Sequence, residues 1–327
     1  MLARLKSNWS YLAIASLFVV LILAPFHWFL GQYTTLMIFI GIYTIVTVGL
    51  CLLMGYTGQV SLGQAAFFGM GAYISAILTT TYGVNPWLAM LAAAIMTGVF
   101  AYTIGYLIFR LKGNYLAMAT LGLGLIMLIV FRQLNPVFGE PDGIPGIPSL
   151  SIGGFAFDSP FRMFFLVWFF CLVILFISQN LVRSRIGRAL KAIHGNESAA
   201  ESLGINVTQF KVKILVLSAV YASLAGSLLA YHVPYVGTQP FDFMASVRLV
   251  VMAVIGGLAS VWGAIFGAGA TRILSDHLLL GFGDWDVVVY GFILVLVMIF
   301  MPEGLFVKLK ELFERLQLRY RKKGAGP

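Results

Sequence analysis

The stretch SNWSYLAIASLFVVLILAPFHWFLGQYTTLMIFIGIYTIVTVGLCLL (7–53) and its continuation to Phe109 contain no Asp, Glu, Lys or Arg, a charge-free run of 103 residues. Such a run holds several bilayer crossings, because one helix needs about 20 apolar residues to traverse the hydrocarbon core. Lipid offers no partner for a backbone amide, so the chain must satisfy its own hydrogen bonds as helices or as a closed barrel. The apolar runs do not alternate with polar residues in short segments, which excludes the barrel. Across the 327 residues 60% are hydrophobic and 10% charged, against about a quarter charged in soluble domains. The chain therefore reads as an all-α polytopic membrane protein.

Working outward, apolar runs predict spans near Ser10–Leu30, Tyr33–Leu53, Val60–Thr80, Pro86–Phe109, Tyr115–Phe131, Arg162–Leu181 and Lys213–His232. The 34 residues of Val247–Leu280 would form a helix of roughly 51 Å, too long for one straight crossing of a ~30 Å core. They are expected to enter and return as a hairpin of two short segments. A last run, Val287–Met301, precedes a basic tail, Lys308–Lys323. Counting the hairpin as two gives about ten membrane segments, some short or broken. The 21-residue first run is long for a cleaved leader and is read as a retained span. Residues 1–306 form the transmembrane domain and 307–327 the tail. In the tail Leu309, Leu312, Phe313, Leu316 and Tyr320 share one face, as suits a helix lying on the membrane surface.

Charge sets the orientation. With both termini cytoplasmic, 17 of the 21 Lys and Arg lie inside with five of the 12 acidic residues, a net +12 inside against −3 outside. That is the bias expected of a polytopic membrane protein, and it accounts for the overall +9 without a nucleic-acid partner. A weak internal repeat accompanies it: Phe68-Gly69-Met70-Gly71-Ala72 matches Phe266-Gly267-Ala268-Gly269-Ala270, and Gly58 matches Gly256 at the same offset. Glycine-interrupted segments in corresponding places of two halves point to a substrate path. Close helix packing, with Gly263 and Gly267 in GxxxG spacing, explains the same glycines equally well.

Little in the sequence serves catalysis. The four histidines (27, 194, 232, 277) are scattered, and the two cysteines, Cys51 and Cys171, sit in apolar runs as packing residues. Ser61 lies in GxxSxG rather than GxSxG, and the dipeptide Gly-Lys of a phosphate-binding loop never occurs. The chain is thus read as no enzyme, with no cofactor or metal of its own and no nucleotide site. Arg272 and Asp276, spaced i, i+4, are expected to pair near the outer interface. The segment Met54–Gln64, MGYTGQVSLGQ, should emerge on the cytoplasmic side yet carries no charge and three glycines. Irregular backbone at membrane depth must be covered by protein or line a cavity. Gly58, Gln59, Ser61 and Gln64, with Gly256 and Gly257 of the repeat, are accordingly the candidate pathway residues. Neutral side chains there would suit a small zwitterion, although a tight helix–helix turn is the plainer reading of each.

The long polar stretch is Arg183–Lys213, RSRIGRALKAIHGNESAAESLGINVTQFKVK. Ile186, Leu190 and Ile193 predict an amphipathic helix. Gly195-Asn196 then supplies a stop followed by an N-cap, so that a second short helix starts at Glu197 and ends at Gly204. Glu197 and Glu201 fall in its first turns, where the helix dipole favours them.

This stretch resembles the cytoplasmic coupling loop of ABC importer permeases. Their EAA motif has two alanines, a glycine four residues after the second and an isoleucine ten later; Ala199, Ala200, Gly204 and Ile214 fall at that spacing. Ser198 stands at the motif's glutamate, Glu197 is one residue early, and the closing proline is missing. GYTGQVSLGQAAFFGMGAY (55–73), GNYLAMATLGLG (113–124), GRALKAIHGNESAAESLGINV (187–207), VIGGLASVWGAIFGA (254–268) and MPEGLF (301–306) together resemble the LivM-type permeases of branched-chain amino-acid ABC importers. FGEPDGIPGI (138–147) departs from that family's TGG-type turn at Phe138 and Glu140. The resemblance implies alternating access in a bacterial inner membrane, with leucine, isoleucine or valine as cargo. It also implies a paralogous permease partner, two ATPase subunits that bind ATP and Mg, and an extracytoplasmic binding protein. Glu197, Ala199, Ala200, Glu201, Gly204 and Ile214 would be the coupling residues. Permeases for urea or another small amide are related in sequence, and a sodium-coupled carrier is the rival from another class.

Overall fold

The computed structural model describes residues 33–111, 113–138, 142–152, 155–278 and 291–292. The expected first span, the tail and all but two residues of the last apolar run lie outside them. Helix α1 (Thr34–Leu50) continues into a π-helical turn at Cys51–Gly55, and α2 (Gln64–Thr80), α3 (Pro86–Ile108) and α4 (Asn114–Phe138) follow. Strands β1 (Gly143–Pro145), β2 (Ser151–Ile152) and β3 (Phe155–Ala156) lead to α5 (Pro160–Arg183). Two short helices, α6 (Arg185–Gly195) and α7 (Glu197–Ser202), precede the long α8 (Val207–His232). Strand β4 (Tyr235–Gly237) and a 3-10 turn (Gln239–Phe241) then lead to α9 (Phe243–Gly256) and α10 (Gly263–Leu278).

The described chain is a mostly helical, polytopic membrane protein. Among the described residues five helices are long and apolar enough to cross a bilayer: Thr34–Gly55, Pro86–Ile108, Asn114–Asn135, Pro160–Arg183 and Val207–His232. Their starts follow local rules. Asn85 caps α3, accepting from the Trp87 amide with Pro86 in the first turn, and Asn206 caps α8 through the Gln209 amide. The expected span Val60–Thr80 is corrected. Its helix begins only at Gln64, because Gly58 adopts φ +70° and the chain to Gly63 is not helical. The remaining 17 residues reach roughly 26 Å. Two short antiparallel ribbons also interrupt the helical pattern, pairing Ile144 with Val236 and Ile152 with Phe155. The Trp87 indole donates to the Ser151 carbonyl at 2.8 Å, fastening one ribbon to α3.

Helices α1 and α8 form the centre, with 78% of the residues in their spanning portions buried against 22% for α4. Leu88, Leu91, Ile95, Val99 and Tyr102 make an exposed apolar stripe along α3, a face fit for lipid. Helix α8 packs against α2 through small residues, as membrane helices do where backbones must approach. Gly71 meets the Ser223 backbone and Gly226 meets the Phe68 carbonyl, with no room for a side chain at either glycine. Beside them the Ser75 and Ser227 hydroxyls lie 2.7 Å apart, and the Gln64 amide donates to the Ser218 carbonyl and hydroxyl at 3.1 and 2.9 Å.

The expected hairpin is observed over its described residues, from Phe243 to Leu278. Gly257 at φ +97° opens the reversal after α9, and α9 and α10 touch backbone to backbone at Gly256–Gly263 and Met252–Gly267. At 14 and 16 residues the arms reach roughly 21 and 24 Å, each short of a ~30 Å core. Both members of the internal repeat are therefore a helix, a glycine-containing break and a second helix: α1 with α2, and α9 with α10.

Candidate functional site

The two breaks meet at one end of the bundle. Gly55 lies against the Leu258 carbonyl, and the Tyr56 hydroxyl donates to the Ala259 carbonyl at 2.7 Å. The first break ends α1 by turning Gly58, whose amide returns to the Met54 carbonyl at 3.1 Å. It is then tied to α4, where the Thr120 hydroxyl accepts from the Leu62 amide at 3.1 Å.

Helices α6 and α7 cover this junction. Ser184 caps α6 by accepting from the Ile186 and Gly187 amides, and Asn196 caps α7 through the Ala199 amide. Gly204 at φ +81° closes α7, as the sequence predicts. Of the expected apolar stripe, Leu190 and Ile193 are buried, but Ile186 is exposed because it faces away from the bundle in the first turn of α6. Lys191 of α6 lies 5.7 Å from the Tyr56 ring centre, and a Cβ on Gly58 would lie 3.0 Å from His194 Nδ1. The Glu197 carboxylate completes the contact. Its Oε1 accepts from Lys211 Nζ at 2.7 Å and from Gln59 Nε2 at 3.2 Å. The Lys211 side chain is 5% exposed and that of Glu197 34%, so the pair sits at the edge of the interior with its cation inside.

The predicted residues thus divide by location. Gly58, Gln59, Ser61 and Gln64 form the first break and the head of α2, while Gly256 and Gly257 form the reversal of the hairpin. Ser61 Oγ and Gln64 Oε1 are buried without a hydrogen-bond partner among the described residues. In a folded interior such groups are few. In α7 Ala200 is buried against Ile193 and Val207, whereas Ala199, Glu201 and Gly204 face outward. Leu203, 80% exposed, extends that outer face. Ile214 lies apart, in the core of α8. Sequence reasoning missed Tyr56, Lys191, His194 and Lys211; two lysines, Lys211 and Lys213, in the second turn of a long and otherwise largely apolar helix were the readable signal for the last.

Arg272, expected to pair with Asp276, has its guanidinium 4.8 Å from the Phe39 ring centre and 5.7 Å from that of Tyr43. The Asp276 side chain lies outside the described side chains. Among the described residues no group of three or more His, Cys, Asp or Glu is placed to hold a metal.

Compared with known proteins, residues 32–298 match the family described as branched-chain amino acid transport system, permease component. The high-affinity branched-chain amino acid transport system permease protein LivM of Salmonella typhimurium is 31% identical over 287 residues, covering 81% of this chain and 67% of that protein. LivM of Escherichia coli K12 matches with the same identity and coverage. BraD of Pseudomonas aeruginosa, named as a permease of the same kind of system, is 28% identical over 284 residues, covering 80% of this chain and 91% of its own.

Proposed function

This chain belongs to the branched-chain amino acid transport permease family, and we propose that it is the membrane-spanning subunit of an ATP-binding-cassette importer for leucine, isoleucine and valine. It works with a paralogous permease, two cytoplasmic ATPase subunits that bind ATP and Mg, and an extracytoplasmic binding protein in a bacterial inner membrane. The chain itself is not an enzyme. The proposal includes about ten membrane segments, with both termini and the α6–α7 end in the cytoplasm and the ribbons outside. A cysteine placed at Ser149 is expected to react with an impermeant maleimide added outside intact cells. Protection there, with labelling only after lysis, contradicts this orientation.

The observation that carries the mechanism is Glu197 bonded to both Lys211 and Gln59. ATPase closure moves α7, whose outward face of Ala199, Glu201 and Leu203 receives the partner. The Glu197 bonds pass that displacement to α8 through Lys211 and to the first break through Gln59. Since Gly55 and Tyr56 also hold the 257–262 turn, one push shifts both hairpins at the cytoplasmic end of the path. Gly58, Gln59, Ser61, Gln64, Gly256 and Gly257 form the gate that opens, and the unpartnered Ser61 and Gln64 oxygens offer neutral contacts to the zwitterion.

Gly204→Pro tests the coupling. Proline locks φ near −65° where Gly204 holds +81°, so the end of α7 must be rebuilt. Leucine uptake per ATP hydrolysed by the reconstituted complex is expected to fall at least tenfold, a loss of about 1.4 kcal/mol of coupling. An unchanged ratio contradicts the role assigned to α7.

A further inference from the structure

Between the two hairpins, on the side of their turns away from α6 and α7, lies a cavity of about 240 Å³. All four helices wall it: Tyr43 of α1, Phe68 of α2, Arg248, Leu249 and Met252 of α9, and Arg272 of α10. It is smaller than the roughly 300–1,000 Å³ of pockets for drug-sized ligands and suits a molecule the size of one amino acid. Its lining is mixed: Phe68, Leu249 and Met252 are apolar, and Arg248 and Arg272 each bring a guanidinium group.

An arginine on a membrane-embedded helix is costly, and such residues mark substrate or ion paths. The Phe39 and Tyr43 rings hold the Arg272 guanidinium at the wall. Arg248 meets Asp242 only at 3.9 Å, and the same carboxylate oxygen accepts from the Ala245 amide at 2.6 Å in capping α9. Guanidinium forks bind a carboxylate in a paired, planar geometry that an ammonium cannot reproduce.

We propose that this cavity binds the carboxylate of a free aliphatic α-amino acid, through Arg272 and Arg248, with its side chain against Phe68, Leu249 and Met252. The proposal rests on the permease reading and gives its cargo a station outward of the Gly-rich gate. Each hairpin contributes to the apolar lining, Phe68 from the first and Leu249 and Met252 from the second, and α9 and α10 each bring one cation.

The test is thermal unfolding of the purified permease–ATPase complex without binding protein, with leucine or with leucinamide, whose carboxylate is neutralised. Saturating leucine is expected to raise Tm by about 2–4 °C, as a bound ligand does. Leucinamide should raise it far less, Arg272→Gln should abolish the leucine shift, and Arg272→Lys should retain part of it. Equal shifts by leucine and leucinamide, or an undiminished leucine shift in Arg272→Gln, overturn the proposal. So does a shift produced by glycerol 3-phosphate and not by leucine, which would assign the cavity to lipid headgroups. ATP-driven uptake by the unaltered complex separates the two readings. A complex that imports leucine without an Arg272-dependent shift loses the cavity alone, and one that shows the shift but imports nothing keeps the carboxylate site and loses the permease reading.

Discussion

Glu197→Ala is expected to be the most damaging single change at the junction, and more damaging than removing its partner by Lys211→Met. The Lys211 side chain is 5% exposed with its ammonium 2.7 Å from Glu197 Oε1. Deleting the carboxylate leaves that charge inside the protein without its counter-ion, and breaking a buried pair in this way costs about 3–5 kcal/mol. Gln59 Nε2 loses its bond to Glu197 at the same stroke. Lys211→Met leaves instead a carboxylate that is one-third exposed and regains water, so its cost stays near about 1 kcal/mol. Thermal unfolding of the purified complex should rank the two in that order. The double variant should recover most of the stability of Lys211→Met while its leucine uptake stays low, because the tie between α7 and the first break is still cut. Equal losses of Tm in the two single variants would show that the pair is no more than a surface contact.

Gly71→Val has the second large effect, on folding rather than coupling. A side chain at Gly71 meets the backbone of Ser223, and backbone cannot step aside by changing rotamer. Overpacking an ordinary core costs about 1–3 kcal/mol. Here α2 must separate from α8, so the expected loss exceeds about 4 kcal/mol and little monodisperse protein should be extracted from membranes. Gly83→Ala is the contrast: that glycine also has positive φ, +63°, but nothing within 4 Å, and its cost is confined to backbone strain of about 1 kcal/mol. Gly71→Val protein that elutes as a single species and transports normally would contradict the seam.

Among the described residues, the helical membrane class and most span positions were legible in the long apolar runs and in the absence of charge up to Phe109, because lipid leaves the backbone so few choices. The α6–α7 element was equally legible, since Asn196 and Gly204 act through local geometry that a short window of sequence contains. Less visible was the extent of the first break. Gly58 announces a turn, but the non-helical path to Gly63 depends on Thr120 from a distant helix accepting the Leu62 amide. The ribbons were hidden for a similar reason, as β1 finds its partner β4 some ninety residues away. The repeat signalled two glycine-interrupted segments in corresponding places, yet only the fold reveals that each is a helical hairpin and that their breaks touch. The junction could be half anticipated: Glu197 was named as a coupling residue and Gln59 as a pathway residue, on separate grounds. Their shared bond, completed by Lys211, is a tertiary fact that no spacing along the chain encodes.

The central claim is that this chain moves amino acids only when an ATPase drives it. The most direct measurement compares labelled leucine uptake in proteoliposomes holding the complete complex with uptake in proteoliposomes holding this chain and its permease partner alone. Concentrative uptake is expected to require ATP, the ATPase subunits and the binding protein, with none from the permeases alone under an inward sodium or proton gradient. Gradient-driven uptake by the permeases without ATPase subunits would contradict it.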